Sequence, residues 1–414
     1  MLREMAMCAT RMAWRASVET WKSSLICPKT SRSAPAFLSV PSSTTIHTPR
    51  RSLFVLPMGI DVGLLGVGAY FLTRLRRPDP RNVKNIFGPL PGSKECGSHP
   101  EKMVRCIAHR GAGLDAPENT LAAFKYCVEQ DVKFIELDVR TSKDGKLVLL
   151  HDQGLERLAG ASISNVHIMD WDSIKDIDVG AKHPNRQKFK EVHLCLLDDA
   201  LEYLLENDVK MIIDVKGEDK QVIDGILKTF LARPRLYETA VVTCFNPFVL
   251  YQIRKKDPRI VGAISYRPYA FSAQDYDAEN GPSNPRYGDN LPAHALLRAA
   301  DFLHSHVWRW TARWCGVSAV LLHKDIVSPS EVQYWRDIGV RCAGWCVNRP
   351  LEKLYWRGVL KAPYLANTLL GEPEGMTLSD AMQMEEKAKP QEKAEPAVLV
   401  DTVLHSERRA VGQN

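Results

Sequence analysis

Paired cysteines are missing from this sequence. Its ten cysteines stand at 8, 27, 96, 106, 127, 195, 244, 315, 342 and 346, with no Cys-x-x-Cys and no regular spacing. That argues against a structural zinc site and gives no disulfide framework. Cys106, Cys127, Cys195 and Cys244 fall in apolar patterns, as small buried hydrophobes do, and Cys342 and Cys346 read as residues of one strand. No Gly-x-Gly-x-x-Gly opens the first strand-helix unit, so a dinucleotide-binding fold lacks its fingerprint. A dense basic stripe is missing too. The formal net charge is +6 over 414 residues, and much of the excess precedes residue 82, which is no argument for nucleic acid. No Asn-x-Ser/Thr sequon is present.

Acids are almost absent from residues 1–50, which hold only Glu4 and Glu19 among many Ser, Thr, Arg, Pro and Met. Such a stretch reads as a disordered or targeting segment, mitochondrial targeting included. Charge is also scarce from Leu53 to Leu75, where only Asp61 and Arg74 interrupt an apolar run that ends in Arg74, Arg76 and Arg77. About 20 such residues span a bilayer, so 53–75 is expected to be a single-pass membrane anchor. A cleaved signal or a buried helix is the alternative, because Asp61 and several glycines weaken the span. Residues 76–102 read as a linker. Beyond Met376, "EEKAKPQEKAEP" has no aromatics, and 373–414 reads as a disordered charged tail.

What is abundant lies between 103 and 372. Short apolar runs ("MVRCIA", "KFIELDV", "KLVLL", "VKMIIDV", "AVVTC", "RIVGAI", "VSAVLL", "VRCAGWCV", "APYLAN") alternate with amphipathic pieces such as "ENTLAAFKYCVEQ", "LDDALEYLLEN" and "KQVIDGILKTFLA". Strand then helix, repeated about seven or eight times, predicts an α/β fold of the TIM (β/α)8 barrel type, with a doubly wound sheet as the runner-up. Residues 152–197 and 266–316 read as insertions. The second contains "HALLRAADFLHSHVWRWTARWCG", which is expected to pack on the barrel or to touch a membrane surface.

In such a barrel, polar residues at the carboxyl ends of strands face the active site. The strand ends here read His109 and Arg110, Glu136 and Asp138, His151 and Asp152, then Asp214 and Lys216. Glu136 and Asp138 are two apart on a strand and leave by the same face. Two adjacent carboxylates repel unless a cation lies between them. Hard divalent ions take oxygen ligands, so one Mg2+ or Ca2+ on Glu136, Asp138 and Asp214 is expected; pairing with Arg110 and Lys216 is the alternative. His109 and His151 fit general acid and base roles. Arg110 and Lys216 fit phosphate contacts, one a planar fork and one a point charge. In "PENT", Asn119 would cap or brace the loop, and Glu118 would line the pocket or support the residues that do. Asp152 would orient an imidazole, and Trp345 and Asn348 of "GWCVN" would line the pocket. Gly111 and Gly113 would let a ligand approach the backbone closely.

These residues in this order, "HRG" with "PENT", then "ELDV", "DGKLVLLHD", "DVK" and "GWCVN", resemble the glycerophosphodiester phosphodiesterase family over about residues 104–370. The resemblance implies a TIM barrel with a divalent metal that hydrolyses glycerophosphodiesters to glycerol 3-phosphate and an alcohol. By it, His109 and His151 look like the acid/base pair, Glu136 and Asp138 like metal ligands, and Arg110 and Lys216 like phosphate contacts. The family's third ligand is commonly glutamate where this chain has Asp214, and a late "TD" is replaced at Asn367. "DVKG" with an N-terminal anchor is similar to membrane-bound animal members acting on glycerophosphoinositol and glycerophospho-N-acylethanolamines. The expected partners are therefore a glycerophosphodiester or lysophospholipid substrate and a membrane. A lysophospholipase D on the same fold and a non-catalytic membrane scaffold are the rival functions.

Overall fold

The computed structural model describes residues 68, 70–91, 104–160, 162–372 and 376–388. Its strands, numbered in chain order, are β1 (Cys106–Ala108), β2 (Phe134–Thr141), β3 (Leu147–Leu149), β4 (Lys210–Val215), β5 (Ala240–Cys244), β6 (Val261–Tyr266), β7 (Ala273–Asp277), β8 (Gly281–Pro285), β9 (Ala319–His323), β10 (Arg341–Trp345) and β11 (Tyr364–Ala366). Eight of them pair in parallel around a closed ring, β1-β2-β4-β5-β6-β9-β10-β11 and back to β1. This is the (β/α)8 barrel that the alternation predicts. The α-helices longer than four residues are α1 (Pro80–Phe87), α2 (Leu121–Glu129), α3 (Leu197–Glu206), α4 (Lys220–Ala232), α5 (Pro247–Lys256), α6 (Leu291–Trp314), α7 (Pro329–Asp337), α8 (Pro350–Tyr355) and α9 (Leu378–Ala388). Side-chain caps start several of them: Thr120 accepts from the Ala123 amide, Asp219 from Val222, Asn246 from Phe248 and Ser328 from Glu331, and each satisfies a backbone donor that the helix cannot.

Strand residues alternate between two environments. Ile135, Leu137, Ile213 and Val242 pack outward against Phe124, Leu201, Ile226 and Phe230 of the helices. Ile107, Phe134, Ile212, Val241, Ala319, Ala343 and Leu365 point into the barrel, where Val83, Ile86 and Phe87 of α1 join them. Thus 76–102, expected as a linker, holds a helix that closes the amino end of the barrel. Three apolar residues in eight are too weak a pattern to show it. The tail differs likewise: α9 lies within it, with Ala381 fully buried and Glu385 accepting from the Leu351 amide at 3.2 Å.

The third apolar run is not a barrel strand. β3 returns antiparallel along the end of β2, with Leu149 opposite Val139, because Asp144-Gly145 makes a tight turn in which the Ser142 amide donates to Lys146 O at 3.0 Å and Gly145 has φ 79°. His151 therefore reaches the rim from the side, off a hairpin. The 152–197 insertion carries a small core of its own, including Leu155, Val166, Ile174 and Val192.

The longer insertion forms the β7–β8 hairpin and α6. Asp301, buried in α6, accepts from the Phe271 and Ser272 amides at 3.0 Å each. Trp308 stacks on Tyr266, the last residue of β6, with ring centres 4.3 Å apart, so the turns of α6 before it run beyond the strand end. Trp314 stacks on Tyr251 at 3.9 Å. These two rings are packing residues. The expected anchor at 53–75 lies outside the described residues except for its end; there the Leu75 amide donates to Trp314 O at 2.9 Å. No helix among the described residues is long and apolar enough to cross a membrane.

Candidate active site

The inward stripe of each strand changes character toward the carboxyl rim. On β2 it runs Phe134, Glu136, Asp138; on β4 and just past it, Ile212, Asp214, Lys216; across the end of β1, Ile107 and His109. Register makes the acids neighbours, since Asp138 lies beside Asp214. One oxygen from each of Glu136, Asp138 and Asp214 falls within 4.8 Å of the others, and all three residues are buried.

Two cations hold this cluster together. Lys216 Nζ lies 2.7 Å from Asp214 Oδ2 and 3.0 Å from Asp138 Oδ1, and Arg110 Nε lies 3.3 Å from Asp138 Oδ2. Burial alone would raise Asp138, but Lys216 and Arg110 overcome it and hold the carboxyl well below its usual range. Glu136 goes the other way: burial, then repulsion from Asp138 and Asp214, pushes it well above the usual range. Asp214 is also raised, by burial first, with Lys216 opposing. Burial works against the Lys216 charge, yet the three acids raise its pKa.

The donor set fits a hard divalent ion. Three carboxylates converge from two strands, and Asp138 Oδ1 and Asp214 Oδ1 are buried without an aligned hydrogen bond, an uncommon state for native polar atoms. Asp138 pairs with Arg110 and Lys216, as the ion-pair alternative expects. Even so, the two cations leave one of three negative charges over, which adds to burial in raising Glu136. A divalent ion removes that excess.

The loop after β1 is strained. Arg110, Gly111 and Ala112 have φ 56°, 77° and 60°, left-handed values costly for Arg and Ala. The turn aims the Arg110 amide at Glu136 Oε2, 2.9 Å away. Gly111 serves packing rather than ligand access, since a Cβ there would sit 2.9 Å from Ala123 Cβ. Gly113 similarly faces Glu118 Cβ at 3.0 Å. Asn119, itself at φ 57°, braces the rim twice: its Nδ2 donates to Asp138 Oδ2 at 2.8 Å and its Oδ1 accepts from the Asp138 amide at 2.9 Å.

The two histidines have different surroundings. His109 is buried; its Nδ1 lies 2.5 Å from Asn367 Oδ1, and Nε2 faces Glu136 Oε2 at 3.7 Å. An amide oxygen only accepts, so Nδ1 carries the proton and Nε2 offers its lone pair inward. Burial, then the Arg110 charge, lowers His109 to about 3. His151 is partly exposed, and its Nδ1 lies 2.8 Å from Asp152 Oδ1. Asp152 is held low despite burial, by His151 and Arg157. Trp345 fixes its indole with a bond to Leu321 O at 3.1 Å and meets Phe245 edge-on at 5.8 Å. Asn348 lines no site contact; its Oδ1 accepts from the Asn367 amide at 2.8 Å and thereby steadies the partner of His109. Glu118 binds Arg110 Nη1 at 3.1 Å.

Three further participants are not among the residues that the sequence points to. Arg157 joins Glu118 to Asp152, Arg140 donates through Nη2 to His151 O at 2.7 Å, and Cys346 Sγ sits 3.3 Å from His109 Nδ1. Arg140 carries a signal, being two residues after Asp138 on the same face of the strand. Arg157 and Cys346 carry none, because only folding brings them to the rim.

The sequence profile of the glycerophosphoryl diester phosphodiesterase family matches residues 109–364. Glycerophosphodiester phosphodiesterase 1 of Homo sapiens is 30% identical over 294 residues, which span 70% of this chain and 85% of that protein. The Bos taurus protein of the same name is 30% identical over 290 residues, or 69% and 84%. A crystal structure of glycerophosphodiester phosphodiesterase from Agrobacterium tumefaciens is 19% identical and covers 64% of this chain and 97% of its own, with a TM-score of 0.46. The profile match spans more than half of the chain and contains both histidines and the acidic triad, so this chain is an enzyme of the glycerophosphoryl diester phosphodiesterase family.

Proposed function

We propose that the barrel hydrolyses glycerophosphodiesters of the glycerophosphoinositol and glycerophospho-N-acylethanolamine type to glycerol 3-phosphate and an alcohol. The observation that carries this reading is the convergence of Glu136, Asp138 and Asp214 within 4.8 Å, with two cations and two histidines, one buried and one partly exposed, around them. Those carboxylates would hold Mg2+ or Ca2+, which when bound neutralises charge on the non-bridging phosphoryl oxygens. Arg110 and Lys216 bind the phosphate. His109, neutral at pH 7 with its Nε2 lone pair turned inward, takes the proton of the nucleophile, either water or the glycerol 2-hydroxyl. That oxygen attacks phosphorus in line; attack by water gives glycerol 3-phosphate directly, whereas attack by the 2-hydroxyl gives a cyclic phosphate that a water must then open to glycerol 3-phosphate. His151, whose Nδ1 lies 2.8 Å from Asp152 Oδ1, gives a proton to the departing alkoxide.

The test is a hydrolysis panel on EDTA-treated protein with and without Mg2+ or Ca2+. Its substrates are glycerophosphoinositol, glycerophosphocholine, glycerophosphoethanolamine, glycerophospho-N-acylethanolamine and lysophosphatidylcholine. Metal-dependent release of glycerol 3-phosphate is expected. Release of lysophosphatidic acid from lysophosphatidylcholine alone would establish the lysophospholipase D reading instead.

One observation favours that second reading and a bilayer as partner. Leu296, Leu303 and Trp310 recur every seven residues along α6 and are exposed, with Phe302 and Val307 close by. Tyr70 meets Trp310 edge-on at 5.9 Å, and Phe71 and Leu72 are exposed next to it in sequence. An apolar helical stripe of that length is suited to a lipid interface. Leu296→Glu/Leu303→Glu protein should lose co-sedimentation with lipid vesicles while hydrolysing water-soluble substrate at the parental rate.

A further inference from the structure

The centre described above is bordered by a chain of alternating charges whose middle members, Glu118 and Arg157, no part of the proposed chemistry uses. Arg110 Nη1 binds Glu118 Oε1 at 3.1 Å. Glu118 is in turn gripped by both terminal nitrogens of Arg157, with Nη2 2.7 Å from Oε1 and Nη1 3.0 Å from Oε2. The third donor of the same guanidinium, Nε, reaches Asp152 Oδ2 at 2.6 Å, and Asp152 Oδ1 lies 2.8 Å from His151 Nδ1. Arg157 comes from a short helix, Glu156–Ala159, of the 152–197 insertion. It thus joins Glu118, in the loop after β1, to Asp152, just past β3.

The bonding pattern shows what this linkage does. Arg110 stands between two carboxylates, Glu118 at 3.1 Å and Asp138 at 3.3 Å. Both are largely buried, with side chains 10% and 0% exposed. A Glu118 with no other partner would draw the Arg110 fork toward itself and away from Asp138 and the phosphate position. A bidentate fork from Arg157 saturates Glu118 and removes that competition. On the other side, Arg157 occupies Asp152 Oδ2, which leaves Oδ1 alone to set the imidazole of His151. Only a planar guanidinium with three usable edges can reach both acids together; a lysine ammonium cannot.

We propose that Arg157 is a positioning residue that locks the Arg110 phosphate clamp and the His151 proton donor into one geometry. This rests on the functional reading given above, and the two fail separately. If the wild-type protein releases no glycerol 3-phosphate from any diester in the panel, the functional reading fails. If wild type is active, the test is steady-state kinetics of Arg157→Gln, Arg157→Lys, Asp152→Asn and the Arg157→Gln/Asp152→Asn pair, each checked for native circular dichroism and normalised to folded protein.

Arg157→Gln is expected to lower kcat about a hundredfold, the size of effect that misplacing reacting groups by an ångström produces, with KM changed less. Arg157→Lys, which satisfies one acid at a time, should fall between Gln and wild type. The double variant should be no slower than the worse single one, because both changes break the same linkage. A folded Arg157→Gln protein with wild-type kcat overturns the proposal, as does a double variant whose losses multiply. A purely structural arginine would lower the melting temperature and leave kcat per folded molecule unchanged. Should Arg157→Gln fail to fold, Arg157→Lys decides: a wild-type kcat there overturns the proposal, and a loss of about tenfold or more upholds it.

Discussion

The two ends of this barrel are built from the same strands and behave as opposites. At the amino end, Ile107, Phe134 and Ile212 meet Ile86 and Phe87 of α1, the packing is mainly apolar with Arg341 laid over the Phe87 ring, and contact area does most of the work. Two to four residues further along the same inward stripes stand His109, Glu136, Asp138, Asp214 and Lys216, nearly as well buried but polar or ionisable. The lesson is that a strand devotes its inward positions to stability at one end and to reactivity at the other. The charged end is tolerated because each ion has a partner, and Glu136 marks where partners run short.

Breaking one end should leave the other standing. At the reactive end, His109→Ala is expected to lower kcat by about 10²–10⁴-fold, the usual range for losing a general base, with the melting curve close to wild type. At the structural end, Phe87→Ala should cost roughly 3–5 kcal/mol of unfolding free energy in chemical denaturation, with kcat per folded molecule retained. If Phe87→Ala slowed turnover as much as His109→Ala, the division between ends would be wrong.

A subtler contrast concerns pH. Glu136 has a folded-state pKa above its unfolded one, so in metal-free protein its stability contribution is complete below the ordinary carboxylate range and is lost as pH rises through the raised value. Glu136→Gln cannot ionise. In EDTA its melting temperature should therefore gain on wild type as pH rises, and Mg2+ or Ca2+ should selectively stabilise the wild type. Parallel melting curves for the two proteins across that range would contradict the electrostatic account of the triad.

Smallest of all should be the difference between two glycines. Gly111→Ala forces a Cβ to 2.9 Å from Ala123 Cβ and 3.0 Å from Phe124 Cδ1, which overpacking places at about 1–3 kcal/mol. Gly145→Ala has open space around it and carries only the left-handed penalty of about 1–2 kcal/mol. Thermal or denaturant melts of the two variants would rank them, and Gly111→Ala should also disturb activity because it shares a turn with Arg110.

Much of the fold and the site is legible in the chain because it is local. Period-two runs mark the barrel strands, and a spacing of two residues, as between Glu136 and Asp138, is enough to declare a common face. The capping residues Thr120, Asp219 and Ser328 precede their helices. What stays hidden depends on contacts between distant segments. α1 reads as linker because three apolar residues become a plug only when a ring of strands is there to receive them. The run ending at Leu150 reads as a barrel strand because a single strand's pattern does not state which direction its neighbour runs.

The sequence alone determined which side chains could share a strand face, where helices begin, and that acids, histidines and cations gather at strand ends, since these follow from backbone periodicity and local hydrogen bonding. Tertiary structure decided that Asp214 stands beside Asp138, that Asn367 sets the tautomer of His109, and that Arg157 joins Glu118 to Asp152. Those pairings cross as many as 258 residues of chain, and only closure of the barrel brings such partners within hydrogen-bonding distance.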